Sequence, residues 1–305
     1  MQPFTALKTS IVLLALLASG CYTHLSEPSP AAAAKPDRYS LDRVLRDIVY
    51  TEPDWPQALQ ADLYLPDRRG ALPVVLTIHG GGWANRGRED MEDISAELVR
   101  RGYAVFNLEY RFAPRYTYPA QLLDLQQALG WITANASRYR LDPQLVNAWG
   151  YSSGAHLAAL LGGFDTSKLP QSAARDLPRL RAVVAGGIPA DLRKYDSSPI
   201  IERFLGGTLG DIPERYAEAS PVYHVSADDP AVFLYHGRFD LMVRMDQPRD
   251  YYDALIAAGI EAELYLHSLR GHGTMFLFGS DAENRAIDFL DRHNRADSLT
   301  AAAGD

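Results

Sequence analysis

The sequence predicts an α/β protein built on a mostly parallel, eight-stranded sheet flanked by helices. Two observations carry this expectation. From about residue 44 onward, short apolar runs are followed again and again by longer helical stretches. That spacing suits parallel strands joined by helical crossovers on both faces. No linker divides the body and no internal repeat is visible. One domain is therefore expected over residues 44–295, although 305 residues could hold two.

The elements follow in order. Residues 47–51 and 59–65 are strand-like, the second by its alternation of apolar and polar side chains. No helix separates them, so they are expected to be antiparallel at one edge of the sheet. Residues 73–79 form a β-branched run. Further strands are expected at 103–108, 145–149, 181–185, 231–236 and 261–266. Helical patterns cover 89–101, 121–139, 155–162, 247–258 and 282–293. The last ten residues, 296–305, are expected to be a flexible tail.

Composition narrows the function classes. Hydrophobic residues make up 47% and charged residues 22%, which fits a globular chain and excludes disordered, collagen-like and polytopic membrane classes. Thirty basic residues against 38 acidic ones give a formal charge of −8, so a broad nucleic-acid footprint is not expected. The one cysteine, Cys21, can form neither an internal disulfide nor a cysteine-rich zinc site.

Residues 1–20 read as a secretory signal. Lys8 supplies positive charge, and residues 11–18 are an unbroken apolar run too short to span a bilayer. Leu17-Ala18-Ser19-Gly20-Cys21 follows. Small residues before a lone cysteine resemble a bacterial lipoprotein signal, in which the cysteine is lipidated and becomes the first residue. The leucine stands one place earlier than is usual. The resemblance implies an exported protein anchored to a membrane through Cys21. Residues 21–43 hold Pro28, Pro30, Pro36 and four consecutive alanines, and read as a tether.

Three motifs carry chemistry. Gly150-Tyr151-Ser152-Ser153-Gly154 sits between an expected strand and an expected helix. In that setting the glycines permit a sharp turn that exposes the Ser152 hydroxyl at a helix N-terminus. His79-Gly80-Gly81-Gly82-Trp83 follows the strand at 73–79, and its consecutive glycines leave backbone N–H groups unshielded for an oxyanion. The Gly-Lys-Ser/Thr of a phosphate loop is absent. The third is a base and an acid. A serine hydroxyl needs a base, and of eight histidines His272 stands best placed, between two glycines in a loop after the last strand. Asp240 follows the strand at 231–236 and precedes His272; Asp191, after the previous strand, is the alternative acid. His156 is expected to pack locally.

The order Ser152, Asp240, His272 resembles the α/β-hydrolase superfamily, over roughly residues 44–293. With Tyr110-Arg111-Phe112-Ala113-Pro114 and Gly154-Ala155-His156-Leu157 added, the chain is similar to its carboxylesterase group. That group holds hormone-sensitive-lipase-like esterases, kynurenine-formamidase-like enzymes, and feruloyl and acetyl-xylan esterases. Ser220-Pro221, His224-Val225 and Asp229-Pro230 are similar to the last two. The resemblance implies an α/β-hydrolase fold, with oxyanion donors at Gly81, Gly82 and Ser153. It also implies Tyr110 and Asp124 as braces of the oxyanion loop. Trp83 and Tyr151 are candidates for substrate contact, with core packing the alternative for Trp83. The helical N-terminal cap of the lipase-like esterases is missing, though residues 188–229 could fold partly over the site. Arg238 departs from the usual small or acidic residue and either biases the site toward anionic acyl groups or faces outward.

These features point to a serine carboxylic-ester hydrolase acting on small or glycan-linked acyl esters of acetyl or feruloyl type. An arylformamidase or amidase using the same triad is the first alternative. A non-catalytic binding lipoprotein of the same fold is the second. The expected partner is a small-molecule ester. No metal or cofactor is expected, since the histidines lack paired ligand spacing.

Overall fold

The computed structural model describes residues 22–24, 38–165 and 177–301. Its nine strands are β1 (Tyr22–His24), β2 (Leu41–Val49), β3 (Gln60–Pro66), β4 (Leu72–Ile78), β5 (Ala104–Leu108), β6 (Leu141–Tyr151), β7 (Leu180–Gly186), β8 (Ala231–Gly237) and β9 (Ala262–His267). They form one sheet in the order β1-β9-β8-β7-β6-β4-β5-β3-β2. The five pairings from β5 across to β9 are parallel, and β2, β3 and β1 pair antiparallel at the two margins.

All eight expected strands are present, and the first two are antiparallel at one edge. The first begins earlier than its pattern suggested. β2 carries register shifts, one of them between Leu45 and Ile48, and Asp47 lies at φ 54°, so its alternation is broken and only its last part reads as a strand. The ninth strand is an addition to the expected eight. Tyr22–His24, in the segment read as tether, hydrogen-bonds to the open edge of β9. Three residues next to a proline- and alanine-rich run give no periodicity to detect.

The helices are α1 (Glu92–Arg100), α2 (Ala120–Tyr139), α3 (Ser153–Gly163), α4 (Pro199–Leu205), α5 (Pro213–Glu218), α6 (Asp246–Ala257), α7 (His272–Phe278) and α8 (Ser280–Ala301). The five expected helices appear as α1, α2, α3, α6 and α8. The last runs to Ala301, beyond residue 295, where the tail was expected to begin. Among the described residues no helix is long and apolar enough to cross a membrane.

Alternating strand residues divide the interior into two layers. Val74, Leu76 and Ile78 face the layer that contains Leu122, Leu125 and Leu129 of α2, Leu157 and Leu160 of α3 and Leu255 of α6. Val75, Val105, Trp149, Val184 and Phe233 face the other layer, against Leu98 and Val99 of α1 and Ile287, Phe289 and Leu290 of α8. Near-continuous burial along β4 and β5 is what a strand covered on both faces requires. The parallel strands all end on one side. The residues after β4, β6, β8 and β9 therefore gather there.

Candidate active site

Between β6 and α3 the chain turns at Ser152, which lies at φ 55°, ψ −120°. An L-residue rarely occupies that region, and holding one there costs about 1–3 kcal/mol. The turn is fixed from both sides. Ser152 N donates to Gly186 O at 2.7 Å, and His156 N donates to Ser152 O at 3.0 Å. Gly154 is required because a Cβ there would collide with the Ile78 carbonyl.

The structure brings the three distant candidates together. His272 Nε2 lies 2.9 Å from Ser152 Oγ, and His272 Nδ1 lies 2.6 Å from Asp240 Oδ2. The other carboxylate oxygen, Oδ1, accepts from Met242 N at 2.9 Å and Val243 N at 2.8 Å. Burial works to raise the Asp240 carboxyl. The hydrogen bond and charge of His272, with the Val243 N–H, outweigh it and hold the group below its ordinary value. Asp240 is thus a carboxylate aimed at the imidazole. His272, expected in a loop, is instead the first residue of α7. Asp191 is elsewhere: it accepts from Tyr223 Oη at 2.8 Å and from its own Arg193 N at 3.0 Å.

Gly81, Gly82 and Ser153 border the same cleft, which has a volume of about 380 Å³. Gly81 sits at φ +112°, and a Cβ there would strike the Asn85 backbone carbonyl. The loop is braced from beneath. Tyr110 stacks on His79 at 4.4 Å and its hydroxyl donates to His79 O at 3.1 Å. Ala113 N donates to Trp83 O at 2.9 Å. Asp124 accepts from Arg111 N at 2.8 Å, Arg111 Nε at 2.7 Å and Trp55 Nε1 at 2.7 Å, fixing the segment that carries Tyr110. Both residues given as braces therefore contact the loop or its support.

Trp83 and Tyr151 border the cleft, yet each is largely committed elsewhere. Trp83 is buried, stacks on Phe204 at 4.3 Å and donates through Nε1 to His156 Nδ1 at 3.3 Å. His156 in turn donates from Nε2 to Ala219 O at 2.6 Å. Burial lowers its pKa to about 3, so it stays neutral and joins α3 to the segment before β8. The Tyr151 hydroxyl donates to His272 O at 2.6 Å, which positions the backbone of the histidine.

Several wall residues had no signal in the sequence. Residues 188–229 do line one side, through Pro189, Tyr195, Ser198, Ile200 and Arg203. Met242, Val243 and Phe276 close the other. Within this stretch Phe204, Leu205 and Tyr216 are buried and Tyr223 is exposed. Arg238 faces solvent. His236, the last residue of the strand expected at 231–236, is fully buried; its Nε2 donates to Val243 O at 2.9 Å and lies 3.4 Å from Asp240 Oδ2. Burial lowers its pKa and keeps it neutral beside the carboxylate. A histidine four residues before the acid on a strand end was the available hint. Among the described residues no three metal-ligating side chains gather.

Sheet order, the strained turn at Ser152 and the hydrogen-bonded row Asp240–His272–Ser152 define an α/β-hydrolase. Within that class the chain belongs to the BD-FAE family, whose model matches residues 61–255, more than half of the chain. The match includes Ser152 and Asp240 and stops short of His272. The probable carboxylic ester hydrolase LipM of Mycobacterium tuberculosis is 32% identical over 62% of this chain and 46% of its own. The esterase LipQ of the same organism is 31% identical over 68% and 51%. The chain thus spans about half the length of these curated relatives. A truncated carbohydrate esterase from gut microbiota has the same fold, with a TM-score of 0.73, 24% identity and coverage of 88% of this chain and 99% of that one. So does a thermophilic esterase from Thermogutta terrifontis, with a TM-score of 0.68, 20% identity and coverage of 83% and 92%.

Proposed function

We propose that this protein is a serine carboxylic-ester hydrolase, exported and held at a membrane by lipid on Cys21. The observation that carries the catalytic reading is the continuous row Asp240–His272–Ser152 opening onto a cleft that Gly81, Gly82 and Ser153 border. Ser152 Oγ adds to the ester carbonyl carbon while His272 Nε2 takes its proton. The developing oxyanion faces the N–H groups of Gly81, Gly82 and Ser153. Asp240 keeps the proton of His272 on Nδ1 and stabilises the imidazolium. His272 then protonates the departing alcohol. Water, deprotonated by the same histidine, hydrolyses the acyl-enzyme.

The substrate reading is a short or compact acyl group on a polar alcohol, of the acetyl or feruloyl glycan type. Support comes from the cleft itself, where Asn85, Asp90, Ser198 and Arg203 supply polar contacts around the apolar Ile200, Ile201 and Phe276. The named esterases among its relatives support the reaction class. Ser152→Ala should lower kcat/KM for p-nitrophenyl acetate by on the order of 10⁴-fold or more. A variant hydrolysing at the wild-type rate would remove the mechanism.

A further inference from the structure

Large apolar side chains stand exposed on the segments that carry Asp240 and His272, and one of them, Met242, lines the cleft itself. Among the described residues, Phe239 is 63% exposed, Leu241 94%, Met242 62%, Leu269 68%, Leu277 68% and Phe278 62%. They come from three consecutive features on the site side: the loop bearing Asp240, the loop before His272, and α7. The two loops are joined, since Phe239 N donates to Arg270 O at 2.9 Å. Soluble surfaces rarely gather so many large apolar side chains without a partner.

The rim also carries arginines, two of them paired with acids that flank it. Residues 237–245 and 268–279 contain Arg238, Arg244 and Arg270, and their one acid, Asp240, is buried. The chain as a whole carries −8. Arg244 and Arg270 meet Asp246 and Asp281 just outside these segments.

Strand β1 lies beside the same place. β1 runs antiparallel along β9, with Tyr22 opposite His267 and His24 opposite Tyr265. The chain therefore runs, read backwards from His24 to Tyr22, toward the end of β9 that leads into Leu269 and His272. Cys21 is one peptide bond further on.

We infer that this rim docks on a lipid bilayer with anionic headgroups, so that the mouth of the Ser152 cleft faces the membrane. The inference rests on reading Cys21 as the anchor. A diacyl chain attached one residue from Tyr22 holds this end of the sheet at the interface. The six apolar side chains then enter the headgroup layer, and the arginines meet lipid phosphate. Esters carried at the membrane surface would reach the cleft without leaving the interface.

The test uses the chain from residue 21 onward carrying Cys21→Ser, which has no lipid of its own. It is compared with the same chain carrying Leu241→Asp and Leu277→Asp as well. Both are sedimented with vesicles of phosphatidylglycerol and phosphatidylethanolamine, and circular dichroism checks that both are folded. The first should bind, and the added charges should weaken partitioning by about tenfold or more. Equal partitioning of the two chains, or no binding by the first, overturns the inference. So does a dimer of the first chain that the aspartates dissociate while vesicle binding is unchanged, since the rim would then serve a second copy. Labelled palmitate fed to cells expressing the full chain tests the anchor separately. Failure to label overturns that reading while the vesicle comparison still decides the surface.

Discussion

Asp240 shows how few contacts fix a carboxylate. Both of its oxygens are filled, one by His272 and one by two backbone N–H groups of its own loop. The neutral, buried His236 adds a further polar neighbour without adding charge. His156 is a second neutral buried histidine, and its protonation links to stability. Burial places its folded-state pKa at about 3 against 6.5 for the free side chain. Between those values the unfolded chain binds a proton here and the folded chain does not. Unfolding therefore takes up a proton, and stability falls as pH is lowered, by about 1.4 kcal/mol per pH unit for each proton taken up. In His156→Asn that uptake is gone. Urea midpoints at pH 7.5 and 4.5 should differ less in the variant than in the wild type, even though the variant is weaker at both. An unchanged or larger difference would mean that His156 is already charged in the folded protein.

At the scale of elements, the glycine loop after β4, proposed to hold the oxyanion, is the part whose shape does most with least. Gly81 holds a φ of +112° against the Asn85 carbonyl, so Gly81→Ala must move the loop. Loss of one aligned donor costs on the order of 10²–10³ in rate. Gly81→Ala should therefore lower kcat for p-nitrophenyl acetate by about that factor while changing KM much less; a fall in KM-dependent binding alone would speak against the assigned role. This loop and the turn at Ser152 were both legible in the sequence, because each is a contiguous motif whose glycines have one physical use. Asp240 and His272 were legible through chain order and their places after strands. The cleft wall was not. Tyr195, Ile200, Arg203 and Phe276 have ordinary neighbours in sequence and meet only because α4 and α7 fold across the sheet end. β1 escaped for the opposite reason, since three residues carry no pattern and its partner strand lies some 240 residues away.

Across the whole molecule, the C-terminal helix α8 ties the end of the chain to its first half. Arg101 donates to Asp291 at 2.6 Å, with both side chains nearly buried, and the Tyr103 hydroxyl donates to the same carboxylate at 3.0 Å. Asn147 and Asn294 exchange hydrogen bonds at 3.0 and 3.2 Å nearby. Arg101 also pairs with the more exposed Asp288 at 2.5 Å, so losing Asp291 leaves its charge partly compensated but strips the Tyr103 hydroxyl of its acceptor. Asp291→Ala should therefore lower unfolding free energy by about 1–3 kcal/mol. This pair lies under α8 on the sheet face, away from the Ser152 cleft, so activity per folded molecule should be unchanged. A variant as stable as the wild type in urea would show that Asp291 adds nothing to the hold on α8.

The claim on which the rest depends is that Ser152 is the activated nucleophile of an ester hydrolase. Reaction with a fluorophosphonate followed by peptide mass mapping tests it directly, because the reagent reports activation of a serine independently of any chosen substrate. A single phosphonyl adduct on Ser152 is expected in the wild type, none in Ser152→Ala, and strongly slowed labelling in His272→Ala. An adduct on another residue, or an unlabelled protein that still hydrolyses esters, would contradict it.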